Sequence, residues 1–458
     1  MLLGGGAVHA AGATALYYGG YVTQNAKVYV VWWGDPTKIN PALTATKGGI
    51  ADFFAGITDS SYMDWLNEYN TAVNAQAGSH MGMAGTGQRI GRGNYAGTFT
   101  LANIPTGNVT DAQIQSTIDA AIAAGTLPAP DDNSLYALYF PSSVSINLDG
   151  STSCSGYGAY HDAIIETQRH DVYYMVMPDC GSSFNGFTSV TSHELIEAIT
   201  DNVPTAGSMP DYPQAWNDSM GDEMADLCEG GNSSATVSTG LGTFTVQNIW
   251  DERTQGCTAF SSDANDFNVA MSPNVATVAL SATTTFTVKS ATSVGSPQML
   301  TLSVTAPAGV TATVSPTTIT SGATAALTVT VTSAAPPTGL QIVVRADAGA
   351  GSAVQTHTAA LLLTTTAAPP DLGTPPDLAG PATAGDAGSS DDMGTGTGGD
   401  GVPPSTMPKG CNCAIGATAD ASGRDGAWAE GALLLLALLG MGWRRRQPRS
   451  PISSSRAS

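Results

Sequence analysis

Three stretches of the chain are apolar nearly throughout: Val28-Tyr29-Val30-Val31-Trp32-Trp33, Leu135-Tyr136-Ala137-Leu138-Tyr139-Phe140 and Val172-Tyr173-Tyr174-Met175-Val176-Met177. Short apolar runs of this kind predict strands buried on both faces. Between them, Ile114, Ile118 and Ile122 recur at i+4 behind Thr110, which predicts an amphipathic helix with Thr110 as its N-cap. Strands and helices are mixed here, so residues 14–262 are expected to form an α+β or α/β domain. The pattern then changes. Phe286-Thr287-Val288, Leu300-Thr301-Leu302-Ser303-Val304 and Leu327-Thr328-Val329-Thr330-Val331 alternate with period two, and Ile342-Val343-Val344 is a further strand. Pro and Gly punctuate them, as in an all-β sandwich of immunoglobulin-like type over residues 263–365. Residues 366–409 carry Pro, Gly, Thr and Asp with almost no large apolar side chain, which predicts a disordered linker.

Of 458 residues, 42% are apolar and only 12% charged, about half the ~25% usual for soluble domains. The 37 acidic residues outnumber the 16 Lys and Arg, giving a net charge of −21. That balance argues against a nucleic-acid partner. It suits a secreted or surface protein, or one that binds cations. No acidic residue follows Trp443, while Arg444, Arg445, Arg446, Arg449 and Arg456 do. Charge segregated in this way is a targeting signal.

Four cysteines, Cys154, Cys180, Cys228 and Cys257, fall in the first domain and show no zinc-knuckle spacing. In an exported chain they read as two disulfides. Three connectivities are open, and the sequence-local one, Cys154–Cys180 with Cys228–Cys257, is favoured. At the N-terminus, residues 1–13 are small and apolar, like the end of a signal peptide without its cationic segment.

At the other end, residues 410–458 hold Gly410-Cys411-Asn412-Cys413, a polar spacer, a leucine-rich run from Gly431 to Met441 and the Arg cluster. The run makes a short transmembrane helix with positive charge after it. This order is similar to the MYXO-CTERM sorting signal of myxobacterial surface proteins. The resemblance implies recognition by sortase-like processing machinery, cleavage near Cys411 or Cys413, lipid attachment there, and display at the outer membrane or release from it.

Candidate chemistry concentrates in Ser192-His193-Glu194-Leu195-Ile196-Glu197-Ala198-Ile199-Thr200-Asp201. On a helix, Leu195, Ile196 and Ile199 form one face; His193, Glu194, Glu197 and Asp201 fall on the opposite one. One reading is an amphipathic helix with a solvated acidic face. The other is a metal helix: HExxH places two zinc ligands at i and i+4 with the intervening Glu as general base, and here Glu197 stands at the second ligand position. Twenty residues after Asp201 begins Gly221-Asp222-Glu223-Met224-Ala225-Asp226, in which Glu223 and Asp226 are spaced i, i+3 and can face one point. A site of His193, Glu197 and members of Glu223, Asp226 and His161 would hold Zn2+ or another divalent cation, with Glu194 placed to activate water. The glycines from Gly82 to Gly91 lack a P-loop Lys, no GxSxG is present, and His80 and His170 stand alone.

SHELIEAITD, Ala215-Trp216-Asn217-Asp218, EMADLCEG and Phe244-Thr245-Val246-Gln247-Asn248-Ile249-Trp250 with Cys257 resemble, in order, blocks of the phosphate-induced, EXORDIUM-like secreted proteins. Tyr18-Gly19-Gly20 and the Val28–Gly34 stretch also fit. The resemblance spans about residues 17–260 and departs around His161, which six residues separate from Cys154 where the family keeps Cys and His almost adjacent. It implies secretion, disulfides and a shared site around His193, and no reaction. Two functions are therefore expected. One is a surface-displayed zincin-like metallohydrolase acting on an extracellular peptide. The other is a non-catalytic module that binds cell-envelope or wall polysaccharide.

Overall fold

The computed structural model describes residues 13–165, 170–204, 210–230, 233–332, 339–349 and 354–366. Most of the leader, nearly all of the linker, Cys411, Cys413 and the sorting segment lie outside the described residues. Among the described residues no helix is long and apolar enough to cross a membrane.

The N-terminal domain is built on a five-stranded sheet in the order Asn94–Leu101, Lys27–Trp33, Ser134–Tyr139, Val172–Met177, Tyr160–Ile164. Its first three junctions are parallel and the last is antiparallel. The three inner strands are buried at every position, because both faces of the sheet are covered. Alternate residues serve opposite cores. Val28, Val30, Trp32, Leu135, Ala137, Tyr173 and Met175 join one cluster with the Ile50–Ile57 and Phe184–Thr200 helices. Tyr29, Val31, Trp33, Tyr136, Leu138, Tyr174 and Val176 meet Ile114 and Ile118 on the other side. Those isoleucines lie on the Asp111–Ala123 helix, which Thr110 caps reciprocally with Gln113 as the spacing predicts.

Two disulfides staple this domain, Cys154–Cys180 and Cys228–Cys257, the sequence-local pairing. The first spans 26 residues and encloses the Tyr160–Ile164 and Val172–Met177 strands; the second spans 29 and ties the Asp226–Cys228 turn to the Gly256–Thr258 strand.

The second unit is an all-β sandwich. One sheet runs Asp266–Ser272, Thr283–Val294, Thr324–Val331, Val310–Ser315, all antiparallel. The other runs Val275–Ala279, Gln355–Thr366, Leu340–Ala348, Met299–Thr305, Thr318–Thr320, with its first pair parallel. Phe267, Val288, Leu327, Ile342, Val344 and Leu361 fill the space between them. Leu340–Ala348 alternates buried and half-buried, as a one-sided strand should. The neighbouring Gln355–Thr366 strand is buried over most of its length. Its outer face is covered by the N-terminal domain. Asn94 donates to the carbonyls of Ala360 (3.1 Å) and Asn274 (2.9 Å), Asn25 donates to Thr358 Oγ1 (3.1 Å), and Gln341 donates to the Asn25 carbonyl (2.8 Å). Lys27, buried at the edge of this seam, is held by Asp131 and by the Gly339 carbonyl at 3.3 Å.

Candidate metal centre

The Phe184–Thr200 helix starts at Ser183, whose side chain accepts the Gly186 N–H. From Thr191 to Thr200 every residue is buried. The solvated reading of its acidic face is therefore overturned. Leu195, Ile196 and Ile199 enter the apolar core, while the opposite face is covered by the Gly242–Gln247 strand, the edge strand carrying His161, and the loop carrying Glu223 and Asp226. A polar face buried in this way needs partners of its own.

Those partners converge. His193 Nε2 lies 3.1 Å from Glu197 Oε2 and 3.5 Å from Asp226 Oδ1. His161 Nδ1 lies 3.5 Å from Glu194 Oε2 and 3.8 Å from Glu197 Oε2, and its Nε2 lies 3.4 Å from Glu223 Oε1. Glu197 Oε1 accepts the Asp226 N–H at 3.1 Å. His161 comes from the antiparallel edge strand, where Tyr160 turns to the far core and His161 to the helix. Asp226 opens a single 3₁₀ turn to Cys228, and the Cys228–Cys257 bridge pins that turn. The structure thus brings together all six side chains that the sequence nominated for the site: His161, His193, Glu194, Glu197, Glu223 and Asp226.

Three further residues organise the cluster and were not nominated as site residues. Gln247 donates its Nε2 to the Ala225 carbonyl (2.8 Å), which turns its Oε1 toward His193 Nδ1 at 3.1 Å. That network assigns the proton to Nδ1 and leaves the Nε2 lone pair facing Glu197 and Asp226. Ser192 Oγ accepts the Gln247 N–H at 2.8 Å. Asp201, which closes the helix, is held by the Ala215 N–H (2.9 Å) and Asn217 Nδ2 (2.5 Å), and its carbonyl meets His161 Nε2 at 3.1 Å. Gln247 and Asn217 sit inside the FTVQNIW and AWND blocks, which are their only trace in the sequence.

The electrostatics follow from burial. Glu197 is pushed well above the ordinary carboxyl range by desolvation, with Asp226 and Glu223 adding to the shift and His193 opposing it. Asp201 is raised to about 8 by burial and by the charge of Glu223. Burial opposes protonation of His161, but Glu223, Glu194 and Glu197 outweigh it and raise this imidazole well above its usual value. Acids held neutral and a base held charged are the two ways a buried anionic cluster lowers its own charge.

The ligand atoms of His161, Glu197 and Glu223 lie within 4.8 Å of one another, as do those of His193, Glu197 and Asp226. His80 and His170 take no part: His80 stacks on Tyr212, and His170 pairs with Asp132 at the surface.

No family model matches the chain, and no curated protein matches it. Among solved structures, domains 4 and 5 of the S-layer protein SbsC align with 30% of this chain and 65% of that one, at 15% identity and a TM-score of 0.17. A family 123 glycoside hydrolase from Clostridium perfringens aligns with 20% of this chain and 23% of that one, at 10% identity and a TM-score of 0.15. The chain thus spans less than two thirds of either, and overlaps of this quality carry no fold or function across.

Proposed function

We propose that this is an exported, surface-displayed metalloprotein whose N-terminal domain holds a divalent cation, zinc foremost, on His193, Glu197 and Asp226, with His161 and Glu223 alongside. The orientation of His193 carries this reading. Its Nδ1–H is given to Gln247, so its Nε2 lone pair faces the carboxyl groups of Glu197 and Asp226. A cation resolves that arrangement, and metal-bound imidazoles are usually held by an outer hydrogen bond of this kind. The spacing also fits. Zinc bonds of about 2.0–2.1 Å put tetrahedral ligand atoms roughly 3.3–3.4 Å apart. Observed separations of 3.1 and 3.5 Å around His193 Nε2 bracket that edge. Two His and several carboxylates are a donor set that zinc and its first-row neighbours accept.

The burial favours a centre that supports the fold. His161, His193, Glu194, Glu197 and Glu223 are all buried, and only Asp226, with 27% of its side chain exposed, reaches the surface. Export is supported by the two disulfides, which persist in oxidising compartments. The MYXO-CTERM-like terminus supports display.

Hydrolysis is the second reading, favoured by Glu194, whose Oε2 stands 3.5 Å from His161 Nδ1 at the heart of the cluster. A bound divalent cation supplies Lewis acidity and lowers the pKa of water. Glu194 would take the proton from that water, and Asp226 marks the side from which an extracellular peptide or glycan would approach. Polysaccharide binding without catalysis is compatible with the fold-supporting centre.

The test is the metal content of the full chain, purified without metal affinity and equilibrated with zinc. Stoichiometric zinc is expected in the native protein, reduced in His193→Gln, and retained in Glu194→Gln. A native chain that stays metal-free by elemental analysis and shows no heat of zinc binding overturns the proposal.

A further inference from the structure

The two ligand groups share Glu197, and this is the feature from which we infer that the cluster holds two divalent cations bridged by that carboxylate. The inference rests on the metal reading above and goes beyond it in number, arrangement and the role of Glu197.

The cluster is built twice. His193 directs Nε2 inward because Gln247 holds Nδ1. His161 directs Nδ1 inward because its Nε2 meets the Asp201 carbonyl at 3.1 Å, an acceptor that calls for the proton there. The two inward nitrogens approach the same atom, Glu197 Oε2, at 3.1 and 3.8 Å. Each imidazole also has a carboxylate of its own: Asp226 Oδ1 lies 3.5 Å from His193 Nε2, and Glu223 Oε1 lies 3.4 Å from His161 Nε2. A single ion would use one of these halves and leave the other as a buried imidazole among carboxylates.

Glu223 belongs to the His161 half of the cluster: the residue is 8% exposed, and its Oε1 lies 3.4 Å from His161 Nε2.

Donor number completes the argument. Glu194, Glu197, Asp201, Glu223 and Asp226 set five carboxyl groups around two imidazoles in a nearly dry site, more donors than one four-coordinate ion takes. Paired ions about 3.5–4 Å apart with a shared ligand are an established arrangement. The mixed nitrogen and oxygen donors suit Zn2+, Mn2+, Co2+ or Fe2+.

The experiment loads the metal-stripped full chain with Mn2+, counts bound ions by elemental analysis, and records the EPR spectrum. Two ions per chain with an exchange-coupled multiline signal are expected. Glu223→Gln and Asp226→Asn should each drop the count from two to one and replace the coupled signal by that of an isolated ion, with the fold checked by circular dichroism. One ion in the native chain overturns the bridged pair and leaves the single centre standing. No ion overturns both. Two ions without magnetic coupling overturn the bridge, and the native-chain count decides the matter even if a variant fails to fold.

Discussion

Gln247 accepts the Nδ1 proton of His193 at 3.1 Å while donating to the Ala225 carbonyl at 2.8 Å, and this fixes which imidazole nitrogen faces Glu197 and Asp226. A residue on one strand thus sets the protonation of a residue on a helix 54 positions earlier. Gln247→Leu removes the acceptor and frees the ring to flip. Zinc affinity should fall roughly 10–100-fold, the usual cost of losing such a partner. Gln247→Glu keeps an acceptor at that point and should retain most of the affinity. Competition with a chelating dye reads both; equal affinities in the native chain and Gln247→Leu would show that His193 is not positioned in this way.

The Cys228–Cys257 bridge closes a 29-residue separation directly behind Asp226. Replacing both cysteines by serine should cost about 3–4 kcal/mol by loop-closure entropy. It should also weaken zinc binding, because the 3₁₀ turn that aims Asp226 loses its anchor. Urea denaturation and the same dye competition test the pair of effects. A variant as stable as the native chain would mean that the turn is held by its other contacts, such as the backbone hydrogen bond that the Trp250 N–H donates to the Met224 carbonyl at 3.0 Å.

Asn94 joins the two folded units, donating to Ala360 and Asn274 carbonyls and accepting from Gln341 at 3.0 Å. Asn94→Leu keeps the size but leaves those buried groups unpaired, at about 1–3 kcal/mol. The expected result is faster proteolysis between the N-terminal domain and the sandwich, with zinc binding unchanged. Weakened zinc binding would show that the seam also supports the cluster.

Glu68 lies near this seam, 3.2 Å from Arg253 Nε. Burial, reinforced by Asp251, lifts it from an ordinary 4.5 to about 7 despite the guanidinium. The folded protein therefore holds this proton more tightly than the unfolded chain does. Its contribution to stability is complete below about pH 4.5 and is lost as pH rises through 7. Glu68→Gln should flatten the fall in stability between pH 4.5 and 7.5, measured by urea midpoints. An unchanged slope would place the titration elsewhere.

Much of the architecture was legible because burial on both faces leaves a mark in one dimension. Val172–Met177 is apolar at every position and is an inner strand; Thr110 and Gln113 sit three apart and cap a helix. The sandwich strands were legible because one wet face imposes alternation, as in Leu340–Ala348. The Gln355–Thr366 strand breaks that rule, since a neighbouring domain covers its outer face.

The sequence by itself determined the local elements, the positions of the chemistry-bearing residues and the one helical face that carries His193, Glu194 and Glu197. Short-range periodicity and side-chain type suffice for that. It did not determine what that face meets, because a polar stripe reads the same whether water or other carboxylates lie against it. Only the tertiary structure decided that the stripe is buried, brought His161 from an edge strand and Glu223 and Asp226 from a disulfide-pinned loop, and set Gln247 behind His193. Those approaches join residues from 29 positions apart, Glu197 and Asp226, to 62, His161 and Glu223, and they are chosen by sheet order and core packing, which no local pattern encodes.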